Sequence, residues 1–172
     1  MIAVSGPPGA GKSTLAKEIA LKLGLKYHST GMIFREIARE RGLSVEELDK
    51  IAEKDPSIDL KIDRLARKIA EKGRVVVEGH IAGWILSDIA DLLIYVTAPI
   101  DIRARRISER DDIDHRRALE IIREREEIMR KRFKKLYGID ISSYNHFDIV
   151  INTRRIDKDK MIKIALAGIN DI

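Results

Sequence analysis

The chain has 172 residues, enough for one sizeable core but not two full domains, and its 33 Lys and Arg against 28 Asp and Glu leave a net charge of +5 within a charged fraction of 35%. With no Cys, a disulfide framework and any Cys-based metal site are excluded. No window approaches an apolar membrane span and the apolar N-terminal run is too short for a signal peptide, so a cytoplasmic protein with no membrane partner is expected.

Residues 1–5 form a short apolar run around Ile2 and Val4 that predicts one buried strand. Directly after it comes Gly6-Pro7-Pro8-Gly9-Ala10-Gly11-Lys12-Ser13, in which two glycines flank four residues and are followed by Lys and Ser. Glycine backbone freedom lets main-chain N–H groups close round an anion there, and the positive end of the following helix points at the same spot. Phosphate is the expected ligand. Pro7, Pro8, Gly9, Ala10 and Gly11 would form the cradle, Lys12 would supply a cation for β and γ phosphates, and Thr14 would add a donor. The Ser13 hydroxyl would ligate Mg²⁺, a hard cation that prefers oxygen. Leu15, Ala16, Ile19, Ala20 and Leu23 then recur at helical spacing until Gly24, so strand, loop and helix stand in the order this motif requires.

Residues 25–28 read as a second strand, parallel to the first through a right-handed crossover. Its carboxyl end delivers Thr30, Gly31 and Arg35 to the edge where open parallel sheets bind ligands. The pattern is then helical over residues 33–41, 44–54 and 57–72, with Ser44 and Glu47 spaced as a capping box. Asp59 and Asp63 share a face of the last of these, beside Arg64 and Arg67. Asp63 and Arg64 together have the acceptor and donors to read the amide-like edge of a pyrimidine; equally, such residues form surface ion pairs.

Val75, Val76 and Val77 predict a buried parallel strand ending in Glu78-Gly79, and a carboxylate at that position is a second Mg²⁺ candidate. Gly79 and Gly83 would let an acceptor nucleotide approach closely, while His80 either donates to the acceptor's phosphate or packs. Residues 92–96 read as a strand, followed by a helix from about 101 that carries Arg106 and Arg110. After a break at 111–115, residues 118–133 form an arginine-rich helix in which Arg125 and Arg132, seven apart, share a face. Glu120, Glu124, Glu126 and Glu127 are interleaved there and argue against a nucleic-acid backbone. A last strand over 147–151, the loop Asn152-Thr153-Arg154 and a helix capped by Asp157 and running to 167 complete the chain.

The P-loop, the Thr30-Gly31-Met32-Ile33-Phe34-Arg35 stretch, the Arg106 and Arg110 pair, the Arg125 and Arg132 pair, and Tyr137-Gly138-Ile139-Asp140-Ile141 resemble nucleoside monophosphate kinases of the cytidylate type along essentially the whole chain. The resemblance implies an α/β P-loop fold with a five-stranded parallel sheet in the order 2-3-1-4-5 and helices on both faces. It implies a core of residues 1–32, 74–107 and 134–172, a helical insertion over 33–73 that closes on the acceptor, and a lid over 108–133. It also implies that Arg35 holds the acceptor's phosphate, that Arg106 stacks on the adenine of ATP, and that Arg110, Arg125 and Arg132 join Lys12 on the transferring phosphates.

Two positions depart from the bacterial pattern: His80 replaces a usual arginine, and Met129 stands where an aspartate lies between the two lid arginines. The implied activity is transfer from ATP to CMP, and to dCMP, by a monomer whose partners are small nucleotides and not nucleic acid. The same scaffold could serve AMP, UMP or a small alcohol such as shikimate, the last needing Glu78 or Asp63 as base. An RNA-associated nucleotide-binding protein is a third reading, with no basic tail or aromatic platform in its favour.

Overall fold

The computed structural model describes residues 1–169, so the last three residues of the expected core lie outside the described part. β-branched and apolar residues crowd the strands β1 (Ile2–Ser5), β3 (Val75–Glu78) and β4 (Leu92–Thr97), which are buried almost throughout. That is the pattern of strands covered on both faces. With β2 (Lys26–Ser29) and β5 (Ile149–Asn152) at the edges, all pairings are parallel and the order is β2-β3-β1-β4-β5, as the resemblance implied.

Helix α1 (Lys12–Lys22) follows the glycine loop and packs with α8 (Lys158–Ile169) on one face of the sheet, burying Leu15, Ile19, Met161 and Ile162 against Val4 and Ile94. On the opposite face, Ala66 and Ala70 of α4 (Ser57–Ala70) and Ala82 of the short α5 (Ala82–Ile85) meet Val75, Val77, Tyr95 and Phe147. Helices α2 (Thr30–Glu40), α3 (Val45–Lys54) and α4 enclose a second small core of Phe34, Leu48, Ile58 and Ile62. Helices α6 (Ile100–Asp111) and α7 (His115–Tyr137) pair through Ala104, Ile107, Ala118 and Ile122. No helix among the described residues is long and apolar enough to cross a membrane.

Apolar periodicity located the helices but not their ends. Ser29 caps α2 by accepting from the Met32 N–H at 3.2 Å, so the helix starts at Thr30, three residues before the expected 33. Helix α7 begins under an Asp114 cap and runs to a left-handed Gly138, well beyond residues 118–133, because the added turns are His115-Arg116-Arg117 and Lys134-Lys135-Leu136-Tyr137, too short and too charged to carry an apolar phase. The capping box at Ser44 and Glu47 is present as expected. Helix α5 follows Gly79 and His80 without a periodic signal, being only four residues long.

Candidate active site

The glycine loop is held by packing as much as by backbone preference. Gly9 takes φ +75, and a Cβ there would lie 2.8 Å from the Arg103 carbonyl oxygen; at Gly6 it would lie 2.1 Å from the Val96 carbonyl oxygen. Only glycine fits where the loop crosses β4 and α6. Two arginines of α6 then tether the loop's carbonyls. Arg103, almost fully buried, donates from Nη1 to Pro8 O at 3.1 Å and to the Glu126 carboxylate at 2.6 Å, and from Nε to Ala98 O at 2.9 Å. Arg106 donates to Gly9 O and Ala10 O, both at 3.3 Å, and to the Thr153 hydroxyl at 2.9 Å. With carbonyls bound outward, the loop's N–H groups other than that of Ala10 are left to a ligand.

A cleft of about 800 Å³ opens from this loop. Lys12, Arg35, Arg110, Arg125 and Arg132 all line it, so the candidates for phosphate binding converge. Burial lowers the Lys12 pKa to about 8; Glu78 opposes this, and Arg125, Arg35 and Arg110 add to it. An anion among those cations reverses the effect. Between pH 8 and 10, ATP binding therefore takes up a proton at Lys12, seen as a buffer-dependent binding enthalpy that disappears in Lys12→Ala. Equal enthalpies in buffers of different ionisation heat would refute this.

Glu78 is 2% exposed at the end of β3. Its Oε1 accepts from Ser13 Oγ at 3.0 Å, from the Tyr27 hydroxyl at 3.1 Å and from Ser29 Oγ, while Oε2 has no partner. An orphaned buried carboxylate oxygen beside a serine hydroxyl is a hard-oxygen donor pair that fits Mg²⁺. No cluster of three or more His, Cys, Asp or Glu is present among the described residues, so phosphate and water oxygens would complete such a site.

Away from the loop, the cleft runs between α2, α4 and α7. Asp63 accepts from the Tyr137 hydroxyl, and its carboxyl is pushed up to about 6, chiefly by burial, against the pull of Tyr137 and Arg132. Asp59, one turn earlier, is pushed up to about 6 for the same first reason. Its Oδ2 is 3.1 Å from Arg132 Nε, yet the pair is misaligned and neither atom has a hydrogen bond. Asp49 of α3, with 1% of its side chain exposed, takes Arg125 Nε on Oδ2 at 2.9 Å and Arg132 Nη1 on Oδ1 at 3.1 Å. The Arg132 guanidinium is itself buried, 4.9 Å from the Phe133 ring centroid and 5.6 Å from that of Phe34.

Several sequence candidates sit elsewhere than expected. Arg64 lies on the far side of α4, beside Leu60, Lys61 and Lys68, and does not reach the cleft. Adjacent helical residues point about 100° apart, so an inward Asp63 sends Arg64 outward. Gly79 and Gly83 serve packing instead of acceptor approach: a Cβ would fall 2.1 Å from Thr30 Oγ1 at Gly79 and 2.3 Å from the Phe147 ring at Gly83. His80 packs too. Its Nδ1 is 3.1 Å from Gly6 O, which can only accept, so Nδ1 carries the proton. Burial first, then Lys12 and Arg125, hold its pKa well below the ordinary value. Neutral His80 therefore has no second N–H for a phosphate in the ligand-free chain and supports the loop, although its ring still lines the cleft. Ala10 is fully buried, and Pro7 contributes a carbonyl to the loop's own turn, accepting from the Ala10 N–H at 3.3 Å. Thr30 and Gly31 line the cleft beside Arg35, as do Pro8, Gly9, Gly11, Ser13 and Thr14.

Asp49, Arg103 and Tyr137 were not legible as site residues, and Thr153 only as part of the loop 152–154. Asp49 did leave a signal, because it lies four residues after Val45 and three before Ala52, in phase with the buried stripe of α3. An acidic residue there requires a buried partner.

The family model of the cytidylate kinase-like family matches residues 1–155. A cytidylate kinase from Staphylothermus marinus is 52% identical over 164 residues, 95% of this chain and 93% of that one. Another from Sulfurisphaera tokodaii is 50% identical over 171 residues, 99% of this chain and 95% of the other. Among solved structures, an uncharacterized protein from Eubacterium ventriosum superposes with a TM-score of 0.75 at 21% identity, covering 99% of this chain and 98% of its own. A shikimate kinase from Acinetobacter baumannii in complex with shikimate gives a TM-score of 0.63 at 16% identity, covering 99% and 92%. At such identities the two structures speak for the fold alone.

Proposed function

The chain belongs to the cytidylate kinase-like family, and from that premise we propose how its cleft moves a phosphoryl group from ATP to CMP, and to dCMP. The observation that carries the reading is the convergence of Lys12, Arg35, Arg110 and Arg125 on one cleft whose other end holds Asp63 and Arg132. All of these come from a single chain. The glycine loop and Lys12 receive the β and γ phosphates of ATP, and Arg106, pinned between the loop and Thr153, presents its planar face to the adenine. Ser13 and Glu78 would hold Mg²⁺, which when bound would neutralise negative charge on the phosphates. Arg110 and Arg125 spread positive charge over the transferring group. No general base is needed, since the attacking CMP phosphate oxygen is already anionic; alignment and electrostatic stabilisation are what remain for the protein to provide.

A hydroxyl acceptor such as shikimate fits this site poorly. It demands a free carboxylate base. Oε1 of Glu78 is occupied by three hydroxyl donors, its free Oε2 is the oxygen this reading gives to Mg²⁺, and Asp63 is held by Tyr137. The deciding experiment is a coupled assay of ADP release with CMP, dCMP, UMP, AMP and shikimate as acceptors. CMP and dCMP should lead by at least tenfold in kcat/KM; preference for another acceptor sinks the reading.

Arg35, on α2 at the cleft, makes no ion pair among the described residues and is available to the acceptor's phosphate. Because that phosphate is held equally before and during transfer, Arg35→Ala raises the KM for CMP by about 10- to 100-fold and changes kcat little. A rise in the KM for ATP alone would mean the two phosphate sites are reversed.

Asp63 is placed to accept from the exocyclic amino group of cytosine, with Arg132 donating to the adjacent ring acceptors. A carboxyl raised to about 6 gains its proton as pH falls through that value, and the protonated form is the poorer acceptor. The KM for CMP therefore rises below about pH 6 in the wild type. Asp63→Asn lowers kcat/KM for CMP relative to UMP by about tenfold and flattens the profile, apart from what Asp59 contributes. An unchanged CMP to UMP ratio would remove Asp63 from base recognition.

A further inference from the structure

We propose that Asp49 is a positioning residue for the transfer step: it grips Arg125 by Nε alone, which leaves the two terminal guanidinium nitrogens of Arg125 to face the transferring phosphate. The inference rests on the kinase reading and assigns a residue of the acceptor-side helix α3 to the aim of an arginine on α7.

The geometry carries it in three steps. Arg125 hydrogen-bonds among the described residues only through Nε, at 2.9 Å to Asp49 Oδ2, while the residue lines the cleft. A guanidinium held this way keeps its fork, whereas one paired through both terminal nitrogens would have none left for a phosphate. Next, Asp49 cannot swing. Its other oxygen is bound by Arg132 Nη1 at 3.1 Å and its carbonyl by the same nitrogen at 3.3 Å, with only 1% of the carboxyl side chain exposed. Arg125 is by contrast 20% exposed, so its outer end is reachable from the cleft while its inner end is fixed. Finally, the Asp49 carboxylate sits between the guanidinium groups of Arg125 and Arg132, and pairing with both offsets the mutual repulsion that would otherwise push Arg125 out to solvent.

A competing role is conceivable for the same contact: a counter-ion that occupies the arginines and must release them when nucleotide arrives. The two roles predict opposite signs. As a positioning residue, Asp49→Asn keeps shape and loses charge, so Arg125 wanders and kcat falls. As a counter-ion, its loss frees the arginines and kcat or nucleotide affinity rises.

The test is a double-mutant cycle on kcat and on both KM values, using the full chain with ATP and CMP: wild type, Asp49→Asn, Arg125→Ala and the pair together. Expected are a fall in kcat of about 10- to 30-fold for Asp49→Asn with both KM values within about threefold, and a double variant no slower than Arg125→Ala alone. An unchanged or raised kcat in Asp49→Asn overturns the proposal, and so do losses that multiply in the double variant. If Asp49→Asn does not fold, Arg125→Lys reads the same point, because one ammonium cannot hold Asp49 and present a fork. Its kcat should match Arg125→Ala, and activity within threefold of wild type overturns the proposal. Wild-type turnover of CMP in the same assay separates the two levels: its absence defeats the kinase reading itself, whereas an active wild type with an unaffected Asp49→Asn defeats only the role of Asp49.

Discussion

Lys12→Ala loses phosphoryl transfer by about 10³-fold or more in kcat while its melting temperature stays level or rises. The loss follows from deleting the charge nearest the loop that receives the β and γ phosphates. The gain in stability follows from linkage. Lys12 has a folded pKa of about 8 against an ordinary value of 10.5, so its charged form is disfavoured by the fold. Below pH 8 the residue is protonated in both states and the penalty is fully present; as pH rises from 8 to 10.5 the unfolded chain binds the extra proton and stability increases. Removing the side chain at pH 7 removes that penalty. Activity by the coupled assay and melting by circular dichroism check both halves. A variant within tenfold of wild-type turnover, or one that melts several degrees lower, contradicts the assignment.

Arg132→Met unfolds more easily by about 3–5 kcal/mol, whereas Arg125→Ala keeps its fold and loses about 10²–10³-fold in kcat. Sequence spacing treats these two arginines alike, and their surroundings separate them. Arg132 is buried, bridges Asp49 and lies beside Asp59, and rests between two phenylalanine rings. Its loss leaves Asp59 in the interior without its cation and Asp49 with Arg125 alone, which is the costly way to break a buried cluster. Thermal melts should show a fall of roughly 10 °C for a chain of this size. Arg125 loses a single partner and a reach into the cleft. Should Arg132→Met melt like the wild type, the interior cluster has been misread.

What could be read from the chain beforehand was what local spacing encodes. The glycine loop, Lys12 and Ser13 follow from eight consecutive residues, and Glu78 follows from a β-branched run that has to end at the ligand edge. Thr30, Gly31 and Arg35 are similarly local, and all of them line the cleft or, in the case of Glu78, accept from Ser13 at its edge. Helix phase set the limit elsewhere. Asp63 reaches the cleft and Arg64 does not, a difference of one residue that a short amphipathic window cannot decide when both flanks are charged. Contacts between distant segments were the other blind spot: the partner of Asp63 is Tyr137, that of Gly83 is Phe147, and His80 answers to the carbonyl of Gly6. None of these pairings is written in a spacing. The last of them exists only once the parallel sheet has brought the ends of β1 and β3 side by side.

The chain of contacts from Pro8 through Arg103 to Glu126 also acts as a mechanical linkage with an uneven strength along its length. Arg103 is held to two backbone carbonyls in the interior, but its grip on α7 is a single carboxylate whose side chain is 30% exposed. Water competes for the Glu126 end and not for the carbonyl end. A pull on α7 would therefore part at Glu126 first and leave the phosphate cradle undisturbed. The joint works as a fuse, so that a strain on α7 is released at Glu126 before it reaches the glycine loop.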